Sequence, residues 1–331
     1  MDLVLRPMST SQVLDRTFHL YRNNFVLFAG IAILTPALKL IALLIQLKIF
    51  GPVVMPQQPS AFTPQFLQAF FVRGIISLLV GTVIYLVGTA LASSATAYAV
   101  SMVHLGKTTT IAESYRRVKP IFLRILWLMF VVVMFTFGPL VLSYMLIFAL
   151  FFAMPLLMRG ADPQVGLMIA TMGGFLLVLA GILGAVIWML YALCRYALAV
   201  PACTLEKLPA RVSLVRSKFL TNGAKWSILG IVILTGLMSF ILTYALQLPA
   251  LLASNALVMS ARTHLTMATT VWIYIAGFLG GALAGPVTTI ALVLVYYDQR
   301  VRKEAFDLQL MMEAVGQAAP APPAAAAPSI G

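Results

Sequence analysis

Six long apolar stretches, separated by short polar connections, occupy almost the whole of this 331-residue chain. They lie near residues 25–47, 68–102, 121–155, 166–200, 227–253 and 269–297. A helix needs about 20 apolar residues to cross the hydrocarbon core of a bilayer, and each stretch is long enough. Because backbone polar groups in lipid must be satisfied within the segment, the stretches predict an all-α membrane protein with six transmembrane helices. Charged residues make up only 9% of the chain, against roughly 25% in a soluble domain.

A short amphipathic pattern precedes the first, third and fifth apolar stretches, at intervals of 97 residues. Each copy places apolar residues at i, i+4, i+7 and i+11, the spacing of one face of an α-helix. The three sets are Leu14, Phe18, Tyr21 and Phe25; Ile111, Tyr115, Val118 and Phe122; and Leu208, Val212, Val215 and Phe219. The pattern predicts three tandem repeat units, about 10–103, 107–200 and 204–300. Each unit is expected to be an amphipathic interfacial helix followed by a helical hairpin.

Residues that break helices separate each amphipathic segment from the apolar stretch that follows it. They are Asn23 and Asn24 in the first copy, Pro120 in the second, and Thr221, Asn222 and Gly223 in the third. An elbow at these positions would let a short helix lie in the membrane interface ahead of an upright span. The alternative is that the amphipathic helices extend beyond the membrane and pack on one another.

The distribution of positive charge predicts the orientation in the membrane. Seventeen of the 22 Lys and Arg residues fall on one side of the six-span topology, four fall on the other, and Lys39 lies within a span. The positive-inside rule then places both termini in the cytoplasm. We expect residues 1–312 to form the membrane domain and the Ala/Pro-rich segment 313–331 to form a disordered cytoplasmic tail.

Eight cations accompany the three amphipathic faces, and we call them the basic collar. They are Arg16, Arg22, Arg116, Arg117, Lys119, Arg211, Arg216 and Lys218. Long basic side chains can reach lipid phosphates from a helix whose apolar face is buried in the interface. We therefore expect the basic collar to contact anionic lipid headgroups. Because the cations follow the membrane topology, the net charge of +13 is not taken to indicate a nucleic-acid partner.

Lys39 lies within the first apolar stretch, where a cation is costly and marks a candidate intramembrane site. The sequence places no Asp or Glu inside any predicted span to pair with it. One interpretation is that the lysine stem snorkels to the outer interface. The other is that the ammonium group holds the anionic part of a substrate or lipid. The second interpretation favours a carrier or flippase for a lipid or small amphiphile.

Small residues recur at helical spacing on several spans and predict faces where helices pack closely. On the sixth span they are Gly277, Gly281 and Gly285; on the fourth Gly173, Gly174, Gly181 and Gly184; on the second Gly88, Ala92 and Thr96. The alternative is that the glycines belong to a moving gate.

Residue types that carry catalysis do not occur in a recognisable arrangement. His19, His104 and His264 have no partner at metal-ligand spacing, and nucleotide-binding and hydrolase motifs are missing from the sequence. We expect a non-enzymatic protein with no cofactor and no metal. Its expected role is to organise the membrane, or to scaffold or regulate a membrane-protein partner. A phosphodiesterase, considered below, is the third alternative.

Four segments resemble one family of bacterial integral membrane proteins. They are LRPMSTSQVLDRTFHLYRNNF, TIAESYRRVKP, ARVSLVRSKFLTNG and LVYYDQRVRKEAFDLQLM. The family takes its name from the membrane domain of glycerophosphoryl diester phosphodiesterases, and the resemblance covers residues 3 to about 312. In that family the membrane region can precede a soluble barrel that uses a metal to hydrolyse glycerophosphodiesters. Too few residues follow Lys303 for a barrel, so the resemblance implies the fold and the bacterial inner membrane, for a stand-alone member without hydrolase activity.

Overall fold

The structure is a computed structural model that describes residues 8–51, 64–157, 163–259 and 265–304. Regular secondary structure in these ranges is entirely helical. The helices are α1 (Thr10–Asn23), α2 (Phe25–Ala32), α3 (Leu34–Phe50), α4 (Pro64–His104), α5 (Ile111–Val118), α6 (Phe122–Leu157), α7 (Pro163–Tyr196), α8 (Ala199–Leu205), α9 (Ala210–Thr221), α10 (Lys225–Met259) and α11 (Leu265–Glu304). The predicted disordered tail 313–331 lies outside the described residues.

Six helical stretches of the described chain are long and apolar enough to cross a membrane. They are Phe25–Phe50, Gln68–His104, Ile111–Leu146, Gly173–Leu205, Lys225–Ala253 and Met267–Glu304. Each overlaps one predicted stretch, so the prediction of an all-α protein with six candidate spans is confirmed. The longest helices have 34 to 41 residues, about 50–60 Å, which exceeds the roughly 30 Å of a hydrocarbon core. They must therefore tilt or extend beyond the membrane.

The long helices form three hairpins, in which α3 packs on α4, α6 on α7 and α10 on α11. The central helix is α11, which also contacts α1, α2, α3, α4, α8 and α9. In its apolar 18-residue segment, 56% of the residues are buried inside the protein. The corresponding segments of the other candidate spans have 22% or less of their residues buried. Most of the remaining helix surface is therefore available to lipid.

The buried core lies at one end of the bundle, formed by residues 8–33, 90–128, 192–231 and 284–304, which we call the basic end. Its largest fully buried side chains include Phe28, Ile125, Leu198, Ile228 and Tyr296, which come from four different helices and the turn before α8. Toward the opposite end the same hairpins expose large apolar side chains such as Leu78, Leu142 and Leu176. The protein is thus packed on itself at the basic end and more open at the other.

Regular helix is interrupted at all three predicted positions, but with different geometry. Asn24 separates α1 from α2 at φ −126° and ψ 37°, while its N–H still bonds to the carbonyl of Leu20. At Pro120 the chain tightens into a 3₁₀ turn over Lys119–Ile121 and stays helical. At the third position Asn222 is extended and Gly223 has a φ of 85°, which glycine adopts without a steric cost. The break at Pro120 is therefore a tighter turn of helix and not a loop.

A fourth interruption, which the sequence prediction missed, divides the first span at Ile33. Pro36 explains the division, because it has no N–H to donate to the carbonyl of Ala32 and its ring crowds that carbonyl. The division gives the first span two short helices, α2 at the basic end and α3 beyond it.

Candidate functional site

The two ends of the described chain meet at the basic end. The amide N–H of Met8 donates to Oδ1 of Asp298 over 2.7 Å, and Arg302 donates to the carbonyl of Met8 over 2.7 Å. The carboxylate of Asp298 is buried, with 5% of the residue exposed, and its Oδ2 accepts from Nε of Arg302 at 2.9 Å and from Gln299 at 3.1 Å. These bonds fasten the segment before α1 to the end of α11.

Two further cations bind backbone carbonyls and join neighbouring helix ends. The ammonium group of Lys303 donates to the carbonyls of Phe219 and Asn222 over 2.7 and 2.6 Å. Carbonyls at the end of a helix have no partner within it, and a cation placed there is favourable. Arg124 donates to the carbonyl of Lys207 over 2.6 Å. Through these contacts the end of α11 holds the end of α9, and the start of α6 holds the loop before α9.

The amphipathic helix α5 packs with its predicted apolar face inward. Val118 is fully buried, and the hydroxyl of Tyr115 donates to the carbonyl of Ile31 over 2.6 Å. Arg116 and Arg117 lie on the opposite face and are exposed. The apolar face of this helix is therefore used for packing inside the protein.

The helix α9 packs with a different face from the one that carries its apolar stripe. Its buried residues include Ser213, Ser217 and Leu220, and the Ser217 hydroxyl donates to the carbonyl of Arg195 over 2.9 Å. Small side chains let α9 approach α7 and α8 closely. The predicted apolar stripe, from Val212 to Phe219, is exposed, with Val215 63% exposed. Within the described residues this apolar stripe is therefore not used for packing.

The helix α1 lies between these two cases. Val13 and Thr17 form its buried face, while Phe18 is exposed. The hydroxyl of Tyr21 reaches the core and donates to the carbonyl of Leu283 over 2.6 Å. Burial raises the pKa of Tyr21 above its ordinary value, which keeps the hydroxyl protonated as a donor. The packing face of α1 is thus rotated from the predicted stripe, and part of that stripe remains free.

Seven of the eight members of the basic collar form no ion pair with any described residue. Six of them are exposed, namely Arg16, Arg22, Arg116, Arg117, Lys119 and Arg211. Lys218 is half-buried, with its ammonium nitrogen 5.7 Å from the ring centre of Tyr196. The excess of these cations over the two carboxylates on the same helices, Asp15 of α1 and Glu113 of α5, creates a positive potential at the basic end.

Arg216, the eighth member of the collar, is held by carboxylates of the protein. Its Nε lies 3.1 Å from both carboxylate oxygens of Glu206, and its Nη2 lies 2.7 Å from Oε2 of Glu304. Arg300 lies 3.2 Å from Glu304 and 3.9 Å from Glu206, and the hydroxyl of Tyr296 donates to Glu206. The side chain of Arg216 is 22% exposed. We call these five residues the ion-pair cluster.

The ion-pair cluster changes the expectation for Arg216. Burial disfavours its charge, but hydrogen bonds and charges from Glu304 and Glu206 outweigh burial and raise the pKa of the guanidinium. Arg216 therefore neutralises carboxylates inside the protein and is not free to contact a headgroup. Sequence spacing carries no signal of this arrangement, because the two carboxylates are 10 and 88 positions away.

Lys39 occupies the middle of the first candidate span. It lies about 20 Å from Phe25 and about 17 Å from Phe50 along the helix axis. The side chain is exposed and makes no ion pair or hydrogen bond with the described part of the chain. Either end of the span is farther away than a four-carbon stem can reach, which weakens the snorkelling interpretation.

A cavity of about 450 Å³ also lies at the basic end, between the start of α1, the turn before α10 and the end of α11. Its lining includes Ser9, Ser227, Asp298, Arg302 and Lys303. The last three already bond to one another or to backbone groups, as described above. The cavity therefore offers few uncommitted charges to a ligand.

Within the described residues, no group of three or more His, Cys, Asp and Glu side chains is arranged to hold a metal ion. His104 is buried beside Tyr297, with ring centres 5.3 Å apart, whereas His19 is exposed. His264 lies outside the described residues. Cys194 and Cys203 are free and buried.

The fold and its charged end define a class of protein. The chain is an all-α, multi-pass membrane protein whose six candidate spans are joined through a packed, basic end. Comparison with protein-family models, with curated proteins and with solved structures finds no match. Its function must therefore be inferred from its own charges and contacts.

Proposed function

We propose that the chain is a non-enzymatic, membrane-organising protein that holds anionic lipid headgroups against its basic collar. There it would scaffold or regulate a membrane-protein partner. One observation carries the proposal: seven collar cations, supplied by three amphipathic helices and their flanking turns, have no carboxylate partner among the described residues.

Anionic lipid headgroups would neutralise this positive charge, which the described carboxylates of the protein do not pair with. Each Lys or Arg near an anionic membrane surface contributes about 1 kcal/mol of attraction. Three carboxylates are held elsewhere, since Glu206 and Glu304 belong to the ion-pair cluster and Asp298 holds Met8 and Arg302. Asp15 and Glu113 lie on collar helices, but among the described residues they form no ion pair and are outnumbered by the cations. The collar therefore keeps its positive potential for an external partner.

Exposed apolar side chains lie close to the collar and support a membrane surface as that partner. Val212 and Val215 share α9 with Arg211, Phe18 shares α1 with Arg16, and Trp226 follows α9 with 85% of its surface exposed. Apolar and aromatic side chains next to cations are typical of helices that lie in the headgroup region.

The charge bias and the resemblance extend the proposal to location and family. The positive-inside rule favours a cytoplasmic basic end with both termini in the cytoplasm. The four resembling segments favour the bacterial inner membrane and a stand-alone member of the family named after the phosphodiesterase membrane domain. Three hairpins, each following one of α1, α5 and α9, support the proposed three repeat units.

The proposal is tested by the lipids that the protein retains. The protein is reconstituted in nanodiscs of phosphatidylglycerol and phosphatidylcholine, extracted with mild detergent, and its bound lipids are counted by native mass spectrometry. The wild type should enrich phosphatidylglycerol, and a variant with Arg16→Gln, Arg116→Gln and Arg211→Gln should lose that enrichment. The loss should be at most roughly fivefold per cation removed, and high salt should weaken the enrichment.

A matched comparison separates the collar from charge in general. Arg116→Gln alone should reduce the enrichment, whereas Lys48→Gln, which removes an exposed cation near the opposite end of the bundle, should not. Equal retention of neutral and anionic lipid by the wild type would refute the collar.

A carrier or flippase for a lipid or small amphiphile remains the second candidate function. The specific observation in its favour is the position of Lys39, an unpaired cation in the middle of a span. This candidate does not depend on the basic collar.

A further inference from the structure

Lys39 lies on the inner face of α3. The residues one helical turn before it, Thr35 and Pro36, contact glycines of two other helices. A Cβ placed on Gly88 of α4 would lie 3.1 Å from Cα of Thr35, and one placed on Gly281 of α11 would lie 3.2 Å from Cβ of Pro36. Because residues at i+3 and i+4 share a helix face, Lys39 continues the face that packs on both α4 and α11.

The outward face of α3 is occupied by other residues. Ile41, Leu44 and Ile45, which lie about 120–160° around the helix from Lys39, are exposed. The exposure of Lys39 therefore comes from a gap between α3, α4 and α11, and not from the outer surface of the hairpin.

The gap is closed again toward the far end of the helices. Leu47 is buried, and the hydroxyl of Ser77 on α4 donates to Oε1 of Gln46 over 3.0 Å. Antiparallel packing with these contacts places Lys39 level with Ile84 of α4 and Phe278 of α11. Along α3 the gap is thus bounded by helix contacts on both sides of Lys39. Its walls are apolar, and Lys39 is its cation.

The described part of the chain supplies no counter-charge for that cation. Ion pairs in the described residues involve Glu206, Asp298 and Glu304, and all three belong to the basic end. The hydroxyl of Thr35, one turn from Lys39, is buried and has no hydrogen-bond partner within the described chain. An unpaired ammonium group at mid-span is costly in lipid, and a bound anion lowers that cost.

We propose that the gap between α3, α4 and α11 binds an anionic amphiphile, whose phosphate or carboxylate group pairs with Lys39 and whose apolar chain lies along the exposed helix surfaces. The ammonium group donates charge-assisted hydrogen bonds to the anionic oxygens. The apolar walls favour an anion that carries a hydrocarbon chain over a free inorganic one. This site is independent of the basic collar, and either can fail without the other.

The test measures binding to purified protein in detergent with three probes: dioleoylphosphatidylglycerol, oleate and inorganic phosphate. Native mass spectrometry should detect one amphiphile per wild-type chain, and Lys39→Gln should weaken its binding roughly tenfold or more. Lys39→Arg, which keeps the charge, should restore binding. Lys48→Gln, on the outward side of the same helix, should bind as the wild type does.

Two results would overturn the site. Equal binding by Lys39→Gln would remove the role of the lysine, and displacement of the amphiphile by inorganic phosphate at equal concentration would remove the requirement for an apolar chain. A measurement on the wild type covers the case in which the variant does not fold. Saturating phosphatidylglycerol should protect Lys39, but not Lys48, from a membrane-permeable acylating reagent, and equal labelling of Lys39 with and without lipid would also refute the site.

Discussion

At the scale of single residues, the protein uses its few carboxylates to tie distant segments together. Arg216 connects Glu206, which follows α8, with Glu304 at the end of α11. The pairs are largely shielded from water, and a partly buried ion pair is costly to break on one side because the remaining charge loses its partner. The ion-pair cluster therefore stabilises the meeting point of α8, α9 and α11.

Substitution of Arg216 should reveal this role. Arg216→Met leaves two carboxylates with Arg300 and the Tyr296 hydroxyl as their other partners in the cluster, and we expect a loss of about 1–3 kcal/mol of folding free energy. Thermal unfolding in detergent should show the loss as a lower midpoint. Arg211→Met, an exposed and unpaired position on the same helix, should leave the midpoint unchanged.

A double variant distinguishes the loss of the ion pair from a general loss of stability. Glu304→Gln added to Arg216→Met removes one of the stranded charges, so the double variant should be more stable than the sum of the two single losses implies. Strictly additive losses would show that Arg216 and Glu304 do not interact.

At the scale of helices, close packing depends on where a small residue meets a neighbour. A Cβ added to Gly280 of α11 would lie 2.9 Å from Cα of Thr243 of α10, and one added to Gly88 would meet the backbone of Thr35. Around Gly285, Gly173 and Gly184 no described atom lies within 4 Å of such a Cβ. The predicted packing faces are therefore confirmed at Gly88 and Gly281 and wrong at Gly285, Gly173, Gly174 and Gly184, while Gly277 has an ordinary contact 3.6 Å from Gln247.

The contact at Gly280 predicts a sensitive position in the hairpin of α10 and α11. Gly280→Ala forces the backbone of Thr243 to shift, which should cost about 1–3 kcal/mol and lower the thermal unfolding midpoint. Gly236→Ala, in α10 with no atom near its added methyl group, should leave the midpoint unchanged or raise it slightly. If the two variants unfold at the same temperature, α10 and α11 do not approach each other as closely as the structure indicates.

Some of these helical features follow from the sequence because their causes are local. A candidate span depends on the summed hydropathy of about 20 adjacent residues, and the breaks at Asn24, Pro120 and Gly223 depend on the conformations those residues favour. The face on which α9 packs depends on what α7 and α8 present to it, so apolar periodicity alone does not reveal it. The ion-pair cluster and the gap at Lys39 likewise arise from contacts between segments that are far apart in the chain.

At the scale of the whole molecule, packing and charge coincide at one end. The core residues of all three hairpins lie at the basic end, where α1, α5 and α9 also lie, while the opposite halves of the hairpins expose apolar surface. A bundle built this way is stabilised by the protein at one membrane face and by lipid over the rest of its length. The charge of the packed end should then also determine the orientation in the membrane.

Reporter fusions test that orientation. A reporter enzyme that is active only outside the cytoplasm should be active when fused after Pro59, Asp162 or Arg262, and inactive when fused after Glu206. The expected pattern follows from the positive-inside rule, because residues near Glu206 carry many cations and the other three connections carry few. An immunodetected tag controls for the amount of each fusion.

A reversed pattern would place the basic collar on the wrong face for cytoplasmic lipid, and a mixed pattern would contradict six spans. Either result would remove the topology on which the proposed function rests.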